Sequence, residues 1–240
     1  MIDGKKAIAI MQPYFFPYIG YWQLLAAVDT FVIYDDGKYI KDGWIHRNRV
    51  LGADGNPMLL KIDIDHPTVN SAINQTLRIN NPIRSSKLIK SLVNSYSKAP
   101  YFHQVMDLVT PLIMSEELDL VKYLSHQIKE VSRYLGLDAE FRYSSEVSKE
   151  GLVGVEDKVF RICHQMGCVD YYNPIGGTEF YDKQDWLSRG GVNLHFLKRN
   201  DDISYTQKTA SFVPDLSIID IMMYNSVEEI RQLLQRYTIC

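Results

Sequence analysis

The segment AIAIMQPYFFPYIGYWQLLAAVDTFVIYDD, residues 7–36, decides how the chain is read. An apolar run over 7–11 meets a turn crowded with proline and aromatic side chains. A short amphipathic stretch follows over 19–28, and a second apolar run ends in Asp35 and Asp36. Strand, loop, helix, strand is the opening unit of an α/β fold. Such folds bind ligands beyond the carboxyl ends of their strands. The loop 12–20 and the pair Asp35, Asp36 are both expected there. Pro13 and Pro17 stiffen the loop, and a stiff, crowded loop at a strand end is a candidate site.

Working outward, the next segment holds two apolar-alternating runs, 44–51 and 58–64. They flank the turn Gly52 to Asn56, a β-hairpin pattern. Residues 83–135 carry apolar side chains at helical spacing in three stretches. Pro82 starts the first, Pro100 and the Ser115-Glu116-Glu117 signal mark the breaks, and Gly136 ends the last. A short strand is expected over 140–144. The rhythm then resumes: a helix closed by Gly167, a strand VDYYNP, a helix over 180–191, a strand VNLHFLK, and one or two terminal helices. The fold class implied is α/β, a mostly parallel, Rossmann-like sheet with helices on both faces. Residues 1–240 read as one α/β domain, with 37–135 a hairpin-plus-helices insertion.

Composition narrows the function classes. At 240 residues and 46% hydrophobic, the chain can build a proper core. A net charge of −3 gives no electrostatic reason to expect nucleic acid. No apolar run approaches the ~20 residues of a membrane span, and no secretory segment precedes the first strand. A soluble cytoplasmic protein with a small-molecule substrate is the expectation; no feature fixes an oligomeric state. The three cysteines, Cys163, Cys168 and Cys240, suit a reducing compartment and lack the spacing of a zinc site, so no metal is expected.

Four constellations could carry chemistry. The first is the loop itself, where Gln12, Tyr14 and Tyr18 offer polar and aromatic contacts and Gly20 opens a helix start to an anion. Asp35 belongs with it as a catalytic candidate and Asp36 as a binding one. The second is Trp44, His46, Arg47, Asn48 and Arg49. On a strand, Trp44, His46 and Asn48 share one face and the arginines the other. Either face can hold a phosphate or carboxylate, and Lys61 reaches the same place from the partner strand. The third is Gly176-Gly177 with Tyr181, a glycine turn after a strand. The fourth is Tyr205, Gln207 and Lys208, polar residues on a loop able to close over a ligand, with Lys208 as a second catalytic candidate. In the same segment Asp215 or Ser217 can cap the helix that follows.

The pattern Phe15-x-Pro17-x-x-Gly20 resembles the nucleotidylyltransferase and pantothenate synthetase superfamily over this one segment. That likeness implies ATP gripped by loop histidines, and the loop 12–20 has none. A wider resemblance spans nearly the whole chain. MQPYFFPYIGYWQLL, WIHRNRV, NPIGGTEFY and YTQKTASFVPDLSIIDIMMYNS are similar to the WbqC-like family. The family is named from bacterial O-antigen and surface-polysaccharide gene clusters, and a glycine transferase acting on an amino sugar has been proposed for some members. The resemblance therefore implies an aminoacyl or acyl transferase acting on a nucleotide-linked amino sugar. ATP is the cofactor such chemistry would use if the donor carboxylate needs activation. Two other readings stand beside it: a non-catalytic nucleotide-sugar or carbohydrate-binding protein, and a nucleotidyltransferase-like ATP-dependent ligase.

Overall fold

A computed structural model describes residues 6–65, 71–181, 186, 188, 190–209 and 211–240. Strand β1 (Ala7–Met11), helix α1 (Ile19–Ala26) and strand β2 (Thr30–Ile33) form the opening unit. β1 and β2 pair in parallel, Ile8 against Thr30 through Met11 against Ile33. Both strands are almost wholly buried, as a parallel sheet covered on both faces requires. The hairpin follows as β3 (Arg47–Leu51) and β4 (Pro57–Lys61), an antiparallel pair apart from the main sheet.

The strand expected from Trp44 begins only at Arg47. Residues 41–46 form turns, because local polar bonds outcompete extension there. The Arg47 guanidinium donates back to the carbonyls of Asp42 and Gly43, and Tyr39 Oη lies 2.6 Å from His46 Nδ1.

Three helices follow, the first packed on the second and the second on the third. Helix α2 (Pro82–Tyr96) starts on proline with Asn81 accepting from the Arg84 amide. Helix α3 (Phe102–Met114) runs through Pro111, and α4 (Leu120–Leu135) ends at Gly136, whose φ is 64°. The start of α4 is Asp119, which accepts from the Lys122 amide, and not the Ser115-Glu116-Glu117 signal. Leu118 is held back by its carbonyl, which accepts the Arg78 amide.

Strand β5 (Glu140–Tyr143), helix α5 (Val155–Gln165), strand β6 (Asp170–Pro174) and strand β7 (Asn193–Arg199) resume the alternation. The helix expected over 180–191 falls largely outside the described residues. Helices α6 (Ile218–Tyr224) and α7 (Val227–Leu234) follow, capped by Ser217 and Ser226. A last strand, β8 (Tyr237–Ile239), pairs antiparallel to β7 and was not legible as a strand. Three residues are too short to show a period; the exposed edge of β7 makes the strand.

The main sheet has the order β5-β2-β1-β6-β7-β8, parallel except at β8. One core joins it to α1, α3, α4, α6 and α7, centred on Trp22, Leu24 and Phe31. A second core on the opposite face packs α5 and Trp186 against Ile8, Ile10 and Tyr171. No helix among the described residues is long and apolar enough to cross a membrane.

Candidate functional site

From β1 the chain winds outward through β2 to β5 on one side, and through β6 and β7 on the other. The strand order therefore reverses between β1 and β6, where open α/β sheets bind ligands. A cleft of about 580 Å³ opens at that point. Met11, Pro174 to Gly176 and Leu197 to Arg199 bring the strand ends to it. Gly20 and Leu24 come from α1, and Tyr14, Tyr18 and Trp44 supply aromatic wall. Asn48, Arg49, Asp201 and Asp215 complete the polar lining.

The loop 12–20 is held in a conformation it would not choose alone. Phe16 has φ 41°, a strained value for a bulky side chain. Its carbonyl accepts from Asn48 Nδ2 at 2.8 Å and from Ser217 Oγ at 2.8 Å. Asn48 also donates to the Phe15 carbonyl at 3.2 Å. The Ile218 amide donates to Pro17 and the Ser217 amide to Arg49, at 2.9 and 2.7 Å. Loop, hairpin and the segment before α6 are thus laced into one rigid wall. Gly20 belongs to that packing: a Cβ there would sit 2.6 Å from the Tyr18 ring. The glycine makes room for the aromatic wall and does not itself face an anion directly.

Charge in the cleft is of both signs. The Arg49 guanidinium lies 5.5 Å from the Trp44 ring centroid. Its Nε is sealed from solvent and has no hydrogen-bond partner among the described residues. A buried donor left unpaired costs about 1–3 kcal/mol; Arg49 also lines the cleft, where its positive charge can meet an anion. Arg199 faces Asp215 at 3.5 Å. Asp215 has φ 56°, the second strained non-glycine residue of the described chain, again beside the cleft. Burial raises the pKa of the Tyr18 hydroxyl, Asp215 adds to the rise and Arg199 opposes it. Burial and then Tyr18 raise that of Tyr14. Both phenols are therefore neutral donors at ordinary pH.

Of the residues singled out in the sequence, Tyr14, Tyr18, Gly20, Trp44, Asn48, Arg49 and Gly176 line this cleft. The others do not. Asp35 is buried and accepts from Ser144 Oγ and the Ser145 amide, both at 2.9 Å. Asp36 is paired to Lys149 at 2.7 Å. Those two carboxylates fasten β2 to the turn after β5. Lys208 is exposed on the loop after β7 and is absent from the cleft lining, so Asp35 and Lys208 do not meet there.

His46 is buried, its pKa lowered to about 4 by burial and by Lys61 and Arg47. The face proposed for Trp44, His46 and Asn48 does not exist. Trp44 stands instead with the arginines, Arg47 lying 5.8 Å from its ring. Lys61 pairs in register with Arg47 on the hairpin. Gln12 braces the Lys38 carbonyl at 3.1 Å. Gly177 accommodates Asn173, whose Nδ2 would lie 1.8 Å from an added Cβ. Tyr181 packs on Tyr171 and Trp186 on the other face of the sheet. Tyr205 and Gln207 point inward to Asp220, at 2.7 and 3.0 Å.

Lys198, Arg199 and Asp201 escaped the sequence reading, and Asp215 entered it only as a cap. The signal was present: VNLHFLKRND is an apolar strand ending in charges, the same pattern that drew attention to Asp35. Among the described residues no group of three or more histidine, cysteine, aspartate or glutamate side chains comes together as a metal site.

Comparison with known proteins agrees with the four-motif likeness. The model of the WbqC-like protein family matches residues 12–232, and the chain belongs to that family. It is 26% identical to the uncharacterized protein Rv1507c of Mycobacterium tuberculosis over 220 residues, 90% of this chain and 93% of that one. No solved structure matches it. Each of the four motifs contributes to the one cleft: Tyr14 to Leu24, Trp44 to Arg49, Pro174 to Gly176, and Asp215.

Proposed function

From membership of the WbqC-like family and the chemistry of the cleft, we propose a transferase of bacterial surface-polysaccharide (O-antigen) biosynthesis. It places an aminoacyl or acyl group, glycine among the candidates, on the amine of a nucleotide-linked amino sugar. The observation that carries this reading is Arg49. Its guanidinium lies beside the Trp44 ring in the cleft lining, a setting that suits an anion next to a flat ring. A nucleotide diphosphate supplies one, bound through a guanidinium fork. Lys198 and Arg199 add positive charge, while Asp201 and Asp215 suit the ammonium of an amino sugar. A ligand bearing both signs fits a cleft bearing both.

Transfer joins the sugar nitrogen to the acyl carbon and breaks that carbon's bond to its leaving group, a thioester sulfur or a phosphate oxygen. The nitrogen must first shed a proton, and Asp215 is the carboxylate placed to take it. Tyr14 and Tyr18, held neutral, can donate to the oxygen that gains charge in the transition state. Asp35 and Lys208 have no part in this scheme.

A second reading, binding without turnover, is favoured by the lining itself. Among the described residues it contains no histidine, cysteine, serine or threonine, the side chains that most often form an acyl-enzyme. The test is calorimetric titration with UDP- and dTDP-amino sugars, followed by mass spectrometry of the sugar after addition of an acyl thioester. Binding with a mass gain supports transfer. Binding without a gain for any donor leaves the binding protein, and no binding removes both.

A further inference from the structure

A buried polar network lies outside the cleft lining. At its centre is Asp220 on α6, with 0% exposure. Its Oδ1 accepts from Tyr96 Oη on α2 at 2.5 Å. Its Oδ2 accepts from Tyr205 Oη at 2.7 Å and from Gln207 Nε2 at 3.0 Å. No bond runs from Asp220 to a charged group of the cleft.

Two branches nevertheless lead from it to two segments of the cleft wall. In the first, Tyr96 Oη accepts the Leu51 amide at 2.9 Å, two residues along β3 from Arg49. In the second, Gln207 closes a ring with Val213: its Nε2 donates to the Val213 carbonyl at 3.0 Å and its Oε1 accepts the Val213 amide at 2.8 Å. Val213 is two residues from Asp215. The described residues between Ile203 and Leu216 have no regular secondary structure, so their course depends on such side-chain ties. The strained backbone of Asp215 needs its surroundings to hold it.

We propose that Asp220 is a positioning residue, whose carboxylate fixes the Arg49 strand and the Asp215 loop in register within the cleft wall. The inference rests on the cleft as binding site, though its mechanical part stands without any ligand. A hydrophobic side chain at 220 would fill the same core, but it would leave two tyrosine hydroxyls and one amide without an acceptor. Burial raises the pKa of Asp220, and the bonds from Tyr96, Tyr205, Gln207 and Leu51 oppose the rise. A carboxyl is costly to keep here, which fits a task other than filling space.

The experiment compares the full chain with Asp220→Asn and with the gentler Tyr205→Phe, using hydrogen exchange, trypsin cleavage after Lys208, and titration with a UDP-amino sugar. A core variant on the far face, Ile162→Val, chosen for a matched melting temperature, is the control. In Asp220→Asn the Leu51 and Val213 amides should exchange about tenfold faster together, as the loss of ~1.4 kcal/mol of local stability implies. Cleavage after Lys208 should quicken by a similar factor, and sugar affinity should fall while the control keeps it. Tyr205→Phe should loosen Val213 and spare Leu51. Unchanged exchange at Leu51 and Val213 in both variants overturns the proposal. So does equal loss of affinity in the control. If the wild-type chain binds no UDP-amino sugar, the substrate reading fails, and the exchange comparison alone decides the role of Asp220.

Discussion

Arg49 and Trp44 show how little of a site a single residue type announces. Two arginines a residue apart on one strand face looked equivalent, yet Arg47 spends its guanidinium on the carbonyls of Asp42 and Gly43. Only Arg49 keeps a buried donor unpaired. Arg49→Ala should therefore weaken anionic-ligand binding by about tenfold to a hundredfold, the cost of a charge-assisted hydrogen bond. Its melting temperature should stay within a few degrees of the wild type, because the lost contact with the Trp44 ring is offset by relief of the unpaired buried donor. Calorimetric titration and a thermal melt check both parts. A collapse of the melt instead would make the residue structural. Gly20→Val makes the opposite case. The new side chain drives into the Tyr18 ring, and overpacking of this sort costs about 1–3 kcal/mol. Chemical denaturation should show the loss without any ligand present.

At the scale of elements, the hairpin, the first loop and the segment before α6 act as one piece, and Asn48 is its clasp. Its carboxamide donates to the Phe15 and Phe16 carbonyls from a buried position. Asn48→Ala strands the Phe15 carbonyl and leaves the strained Phe16 to Ser217 alone, so stability should drop by about 1–3 kcal/mol. Restored flexibility should appear as faster hydrogen exchange at Ile218, whose amide is bonded to Pro17. Slow, unchanged exchange there would mean that Ser217 alone holds the loop.

This lacing explains what the sequence disclosed. Period and punctuation expose elements made by local rules, so β1, α1, β2 and the helices from Pro82 to Leu135 were legible. The strand-end loop was legible too, since a loop rich in proline and aromatics is conspicuous, but the strand order that puts a switch point beside it was not. Pairing partners were not. Asp35 stands at a strand end as a catalytic carboxylate would, but Ser144, 109 residues away, claims it. Tyr205 and Gln207 looked like a mobile lid and are tied instead to Asp220 in the core. A polar residue in a loop reads the same whether it faces a ligand or a buried partner, because only the tertiary fold brings the partner.

For the molecule as a whole, buried titratable groups set a pH range for stability. Burial, then Lys61 and Arg47, hold His46 neutral with a pKa of about 4, below its unfolded value of 6.5. The unfolded chain takes up a proton first as pH falls, so this stabilisation is complete above pH ~6.5 and is lost toward pH ~4. Its size is on the order of 3 kcal/mol. The alkaline limb has the opposite sign. Burial raises Tyr39, Tyr34 and Tyr123 to about 12, and pushes Tyr21, Tyr96, Tyr171 and Tyr205 upward as well. A phenol with a raised folded pKa stabilises fully below its unfolded pKa near 10 and loses that contribution as pH climbs through the folded value. Urea unfolding across pH 4 to 12 should then give a plateau between about 6.5 and 10, falling on both sides. The acid side has a specific owner. His46→Gln cannot take up the proton, so it should lower the plateau through lost packing and flatten the curve between pH ~4 and ~6.5. Tyr39, whose hydroxyl lies 2.6 Å from His46 Nδ1, keeps a polar partner in the glutamine side chain. An acid limb that persists undiminished in His46→Gln would assign acid sensitivity to the carboxylates.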